Sequence, residues 1–300
     1  MFHGSIPALI TPFTQEGDVD IKAFENFVEW HIDQGSHALV PCGTTGESPT
    51  LSHAEHKALV EKCVEVTANR VPVIAGAGSN STREAIDFTK HAKESGADAA
   101  LIVTPYYNKP TQDGLYEHYK AIHDEVAIPI IIYNIPGRCI IDMSVETMAR
   151  LAELPNIVGV KDATNDLVRP VATRFAIEKE FCQLSGEDGT VLGFLAQGGD
   201  GCISVVANIA PKLSAQMHEA WQAGDVKAAQ AIRDKLAKLA DALFCESSPA
   251  PVKYAAWRMG LCENKIRRPL LPATQNAQAL VDAAMEHAGL LDSVQARAAG

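Results

Sequence analysis

Apolar residues along the chain fall into short runs of aliphatic and β-branched side chains, and between those runs they recur every three or four positions. The first pattern is that of strands buried on both faces and the second that of helices with one buried stripe. Runs at 5–13, 37–43, 71–78, 97–105, 128–136, 156–163, 181–187 and 201–208 predict eight strands. Helical periodicity covers 20–34, 52–69, 82–95, 113–125, 144–153 and 166–179, with Ser52 and Glu55 at capping-box spacing and Ser144 with Thr147 at another helix start. Strand and helix alternating at the length of a βα unit predict a parallel sheet with right-handed crossovers. Eight such strands favour a closed (β/α)8 TIM barrel over an open doubly wound sheet, because no G-x-G-x-x-G follows the first strand. After residue 210 the strand pattern stops and the remaining segments read as amphipathic helices that need a partner surface. The organisation expected is a catalytic barrel over 1–224 and a C-terminal helical extension over 225–300.

Composition fits this α/β reading: 47% hydrophobic and 21% charged residues, with no low-complexity tract, describe a soluble globular chain. Its net charge of -11, without a block of Lys or Arg, argues against nucleic acid as a partner. No apolar run reaches the roughly 20 residues of a membrane span. The start "MFHGSIPALITPF" also lacks a basic segment before its apolar stretch, so neither membrane nor export is expected and the location expected is cytoplasmic. Cys42, Cys63, Cys139, Cys182, Cys202, Cys245 and Cys262 lack the spacing of a zinc or redox site and read as buried thiols in a reducing compartment. The end, "DSVQARAAG", is expected to fray.

In a barrel the reactive face lies at the carboxyl ends of the strands, and five strand ends here carry polar groups. They are "GTTGES" (43–48), "TPYYNKP" (104–110), "YNIPGR" (133–138), Lys161 within "NIVGVKDAT", and "SGED" (185–188). Lys161 ends an apolar strand, where burial disfavours an ammonium and frees the amine for Schiff-base chemistry with a ketone or keto acid. Taken alone, the same lysine is more simply a side chain that snorkels to solvent or pairs with Asp162. Tyr133 ends the neighbouring strand, and with Thr44 and Tyr107 it supplies the hydroxyls that a proton relay needs. The alternatives are a core tyrosine, interface packing by "PYYN" and a plain turn at Thr44 and Thr45. "GTTGES" offers amides and hydroxyls to a carboxylate, though it has no Walker lysine, and Arg138 offers a guanidinium fork or an ordinary surface pair. The histidines, among them His31, His37, His91, His118 and His123, never fall in a metal-binding pattern, so no metal is expected.

With these motifs in order, together with "GSIPALITPF", "PVIAGAGSN", "GCISVVANIAP" and "SPAPVKYA", the chain resembles the dihydrodipicolinate synthase branch of the pyruvate-dependent class I aldolases related to N-acetylneuraminate lyase. The resemblance runs over nearly the whole length. It implies a lyase without a cofactor, in which Lys161 forms an imine with pyruvate, Tyr133 shuttles protons, and Thr44 with Tyr107 completes the relay. Tyr107 would come across a tight dimer interface, Thr45 would bind the pyruvate carboxylate, and Arg138 would hold the second substrate, L-aspartate 4-semialdehyde. Gly186 and Ile203 match positions that line the site. It further implies a place in diaminopimelate and lysine biosynthesis, a homotetramer built as a dimer of dimers, and an inhibitory L-lysine site at Ser48, Pro49, His53, His56, Asn80, Glu84 and Tyr106. The sequence departs from the pattern at Pro49 and at Cys139, where threonine often follows the arginine, while Asp162 stands where glutamate is also common. Alternative readings keep the imine but exchange the aldehyde for that of a sialic acid or keto-deoxy sugar acid lyase, or make the barrel a non-catalytic metabolite binder.

Overall fold

A computed structural model describes residues 2–291; the "DSVQARAAG" segment lies outside the described residues. Seven parallel strands, β1 (Gly4–Pro7), β2 (Ile74–Gly76), β3 (Ala99–Val103), β4 (Ile130–Asn134), β5 (Ile157–Asp162), β6 (Cys182–Ser185) and β7 (Gly201–Ser204), lie in the order β1-β7-β6-β5-β4-β3-β2. Both edges of that sheet meet the predicted second strand. Val40 bridges Ala8 beyond β1 and Leu39 bridges Val73 before β2, both in parallel. Amide bonds from Leu9 to the Val40 carbonyl and from Ile74 to the Leu39 carbonyl, each 2.9 Å, close the ring. The segment at 37–43 is therefore the eighth stave, held by isolated bridges and not by a ladder. Its brevity has a local cause: Pro41 has no amide to donate, and Cys42 turns into the left-handed region at φ 56°. The close approach there also requires Gly76, since a Cβ on it would collide with the Cys42 carbonyl oxygen.

The helices form where their caps and apolar stripes predict. Ser52 and Glu55 make the full capping box of the helix His53–Thr67, and Ser144 caps Val145–Ala152 through the Thr147 amide. Among the described residues, three hydrophobic clusters are buried. One, containing Ile6, Val40, Ile74, Leu101, Ile131, Tyr133, Leu184 and Ile203, occupies the barrel interior. The other two lie between the sheet and its helices. The larger of these mixes Leu9, Phe24 and Leu59 with Leu236, Leu239, Val281 and Met285, so the C-terminal helices Val226–Ala242 and Gln275–His287 share a core with the barrel wall. The cysteines depart in part from expectation: five are buried, but Cys245 is exposed and Cys262 half-buried.

Candidate active site at the strand ends

Alternation along β5 decides where Lys161 points. Residues of one strand face the two sides of the sheet in turn, and Val160 packs in the outer cluster against the helices. Lys161 therefore faces the barrel interior, in register with Tyr133 on β4 and Leu184 on β6. It is 6% exposed, and its Nζ lies 4.1 Å from the centre of the Tyr133 ring. The snorkelling alternative is thereby excluded. Pairing with Asp162 is excluded as well, because that carboxylate faces outward, accepts bonds from the Thr164 amide and hydroxyl at 2.8 and 2.6 Å, and lies 3.2 Å from Arg169 Nε.

On the neighbouring strands Ile203, 1% exposed in β7, packs in the interior cluster that contains Tyr133, and after β6 the Gly186 amide donates to the Asp162 carbonyl at 2.6 Å. A Cβ on Gly186 would stand 2.7 Å from that of Ala163, so the bare backbone is what fits. Sequence reasoning quoted "SGED" but gave no role to its acids. Burial raises the carboxyl pKa of both Glu187 and Asp188, while the positive charge of Lys161 pulls each down. Asp188 accepts from the amides of Val205 and Val206 and from the Ser204 hydroxyl, which ties the end of β6 to that of β7.

Thr44 and Thr45 sit in a turn in which the Glu47 amide donates to the Thr44 carbonyl and the Gly46 amide to the Gly43 carbonyl, both at 3.1 Å. Thr45 is buried. Beside them opens a cavity of about 400 Å³, lined by Thr44, Arg138 and Cys139 and also by Ser48, Pro49, His53, His56, Glu84 and Tyr106. Of the residues that the resemblance assigns to catalysis and substrate, Thr44 and Arg138 thus border the same space as most of those it assigns to lysine, while Lys161, Tyr133, Thr45, Gly186 and Ile203 do not line it. Within it His53 Nε2 lies 2.7 Å from Glu84 Oε1, and the other Glu84 oxygen accepts from the Ser79 hydroxyl. Asn80 donates to the Tyr106 carbonyl at 3.1 Å. His56 stacks on Phe88 with ring centres 4.1 Å apart, and burial brings its pKa down to about 4. Arg138 reaches the Ser248 carbonyl at 3.2 Å, and burial raises the thiol pKa of the adjacent Cys139. Tyr107 stands apart from all of these, 91% exposed and at φ 73°.

Two further residues escaped the sequence reading. Lys253, in the helix Ala250–Arg258, and Glu47 form an ion pair at 2.7 Å, with side chains only 1% and 2% exposed. Their signal was a lysine inside an apolar helical run, "APVKYAAW", but nothing local names a partner 206 residues away.

A family model described as the dihydrodipicolinate synthetase family matches residues 1–288. A 4-hydroxy-tetrahydrodipicolinate synthase of Rhodospirillum centenum is 63% identical over 97% of this chain and 100% of its own length. Among solved structures, dihydrodipicolinate synthase of Aquifex aeolicus superposes with a TM-score of 0.94 at 46% identity, covering 96% of this chain and 99% of that one. The chloride-inhibited enzyme of Acinetobacter baumannii, complexed with pyruvate, gives 0.94 at 49% identity over 97% and 100%. The enzyme of Cyanidioschyzon merolae with lysine bound gives 0.94 at 39% identity over 97% and 99%.

Proposed function

The chain belongs to the dihydrodipicolinate synthetase family, and from that premise we propose how its own residues carry out the condensation of pyruvate with L-aspartate 4-semialdehyde. The observation that carries the reading is the interior placement of Lys161 beneath the Tyr133 ring. The Lys161 amine, its proton given up, attacks the C2 carbonyl of pyruvate, and the carbinolamine loses water to give the imine. Tyr133 handles the protons of both steps and exchanges them through Thr44. Removal of a C3 proton gives the enamine, whose carbon adds to the aldehyde of the second substrate. The new aldehyde oxygen takes a proton to become the 4-hydroxyl. The substrate amine then displaces Lys161 from the imine as the ring closes, which returns the lysine free. No cofactor enters the cycle.

The Thr45 turn would receive the pyruvate carboxylate and Arg138 that of the semialdehyde, its fork suited to two-point binding. We assign the far side of the same cavity, between Glu84 with His53 and Asn80 with Tyr106, to L-lysine as inhibitor. A tetramer in which a partner's tyrosine at position 107 completes the relay is supported by the outward placement of Tyr107 in this chain. The same reading places the enzyme in the cytoplasm with its substrates.

Borohydride reduction with pyruvate, followed by peptide mass spectrometry, tests the imine. Wild-type protein is expected to gain the reduced pyruvate adduct on the Lys161 peptide, K161R to gain none, and Y133F to gain it more slowly by about 10²-fold or more. An adduct on another lysine, or none on the wild type, would falsify this mechanism.

A further inference from the structure

The turn that carries Thr44 and Thr45 ends at Glu47, a non-glycine residue held in the left-handed region at φ 58°. Its carboxylate is buried and faces the C-terminal extension. One oxygen accepts from Lys253 Nζ at 2.7 Å and the other from the Arg267 backbone amide at 3.0 Å. Lys253 lies 4.0 Å over the Phe13 ring and the Arg267 guanidinium 4.4 Å from it, so Phe13 is shared by both cations. Arg267 also donates to the carbonyls of Gly17 and Thr50 and to both oxygens of Glu55. Just ahead of the helix that carries Lys253, the Ser248 carbonyl accepts from Arg138. Through Lys253, Arg267 and Ser248 the extension therefore grips both the threonine turn and the arginine loop.

We propose that Lys253 is a positioning residue, which fixes the Thr44–Thr45 turn through its buried pair with Glu47. The physical argument is that removing one member of a buried, hydrogen-bonded pair strands the other without water or partner. Glu47 then relieves that cost by moving, and its amide bond to the Thr44 carbonyl carries the movement into the turn. A displacement of about 1 Å in a substrate-positioning group is worth roughly 10²-fold in rate. A buried pair acting only on stability would leave the turn, and hence the rate per folded molecule, untouched.

The inference rests on the reading of Thr44 and Thr45 as groups of the site, and the experiment separates the two. Steady-state kinetics of wild type, K253M, T44V and the double variant form a cycle, with the folded fraction measured by circular dichroism and pyruvate trapping measured on each protein. K253M is expected to lower kcat/KM by about 10²-fold, with a raised KM for pyruvate, and to cost about ten-fold or less when Thr44 is already valine. E47Q keeps the shape of Glu47 and an acceptor for the Arg267 amide, and it stands in for K253M if that variant does not fold. The proposal is overturned if the two substitutions multiply independently, or if K253M lowers the melting temperature while kcat/KM per folded molecule stays at the wild-type value. Failure of the wild type to trap pyruvate, or an unimpaired T44V, overturns the reading of the site instead.

Discussion

At the scale of single residues, the cavity beside the barrel mouth sets a specific demand on any amino acid bound there. Glu84 already holds His53 and Ser79, so an incoming ammonium joins a preformed cluster, and its attraction to the carboxylate is what a neutral side chain would forfeit. Isothermal titration with L-lysine in the presence of pyruvate is expected to show binding to the wild type and binding weaker by about ten-fold or more to E84Q, in line with a lost charge-assisted bond of roughly 1.5–3 kcal/mol. Equal affinities would remove Glu84 from the lysine site. Residue reasoning reached Lys161 and Tyr133 because a cation and a phenol at the ends of apolar runs are conspicuous. The polar groups at the other strand ends tip the reading toward the imine, but from β5 alone such reasoning cannot choose between imine chemistry and an ion pair at Lys161, since that depends on which face of β5 the side chain takes. Nor could it find Glu47 and Lys253, whose meaning lies in a contact between distant parts of the chain.

At the scale of elements, the strands are shorter than the apolar runs that announce them. The run at 5–13 yields Gly4–Pro7 as a ladder, and that at 71–78 yields Ile74–Gly76, because hydrophobicity records burial while a ladder also needs a free amide and a neighbour in register. The second stave shows the same limit in its sharpest form, legible as apolar sequence and paired only by bridges. Where β5 meets β6, Gly159 faces Cys182 so closely that an added Cβ would lie 2.5 Å from the Cys182 carbonyl oxygen. Backbone cannot yield there without parting the strands that carry Lys161. Gly159→Ala is accordingly expected to lower stability by about 1–3 kcal/mol, read from the urea midpoint. An unshifted midpoint would show that the two strands tolerate separation.

At the scale of the whole molecule, burial has set the response to acid. His31 and His218 are held down to about 3, and His56 and His118 to about 4, chiefly by desolvation. The unfolded chain takes up protons on these rings as pH falls through 6.5, whereas the folded one does so only near 3 to 4. Their contribution to stability is thus complete above pH 6.5 and declines below it, while Asp162, Glu187, Asp188 and Asp200, whose pKa values are raised by burial, act in the opposite sense. His31→Leu isolates one ring. Its stability in urea is expected to fall less steeply than that of the wild type between pH 6.5 and 5, the difference approaching ~1.4 kcal/mol per pH unit. Parallel curves would contradict this. Assembly belongs to the same scale: with Tyr107 directed outward, specific activity is expected to drop on dilution below the concentration at which sedimentation shows dimers, and a fully active monomer would refute the shared relay. The residues of "PYYN" mark an aromatic pair but not the side it turns to, and an outward Tyr107 is expected only through the resemblance.

Closure of the ring pairs the first strand with the last, Gly4 with Gly201, and adds bonds from Asn208 to Ala8 and Ile10. During synthesis, β1 therefore leaves the ribosome about 200 residues before its partner exists, and the barrel waits open for that interval. The threonine turn is made early and fastened late. Its clasp at Lys253 and Arg267 follows the last strand in the chain, so the residues that fasten the turn are synthesised after every stave of the ring.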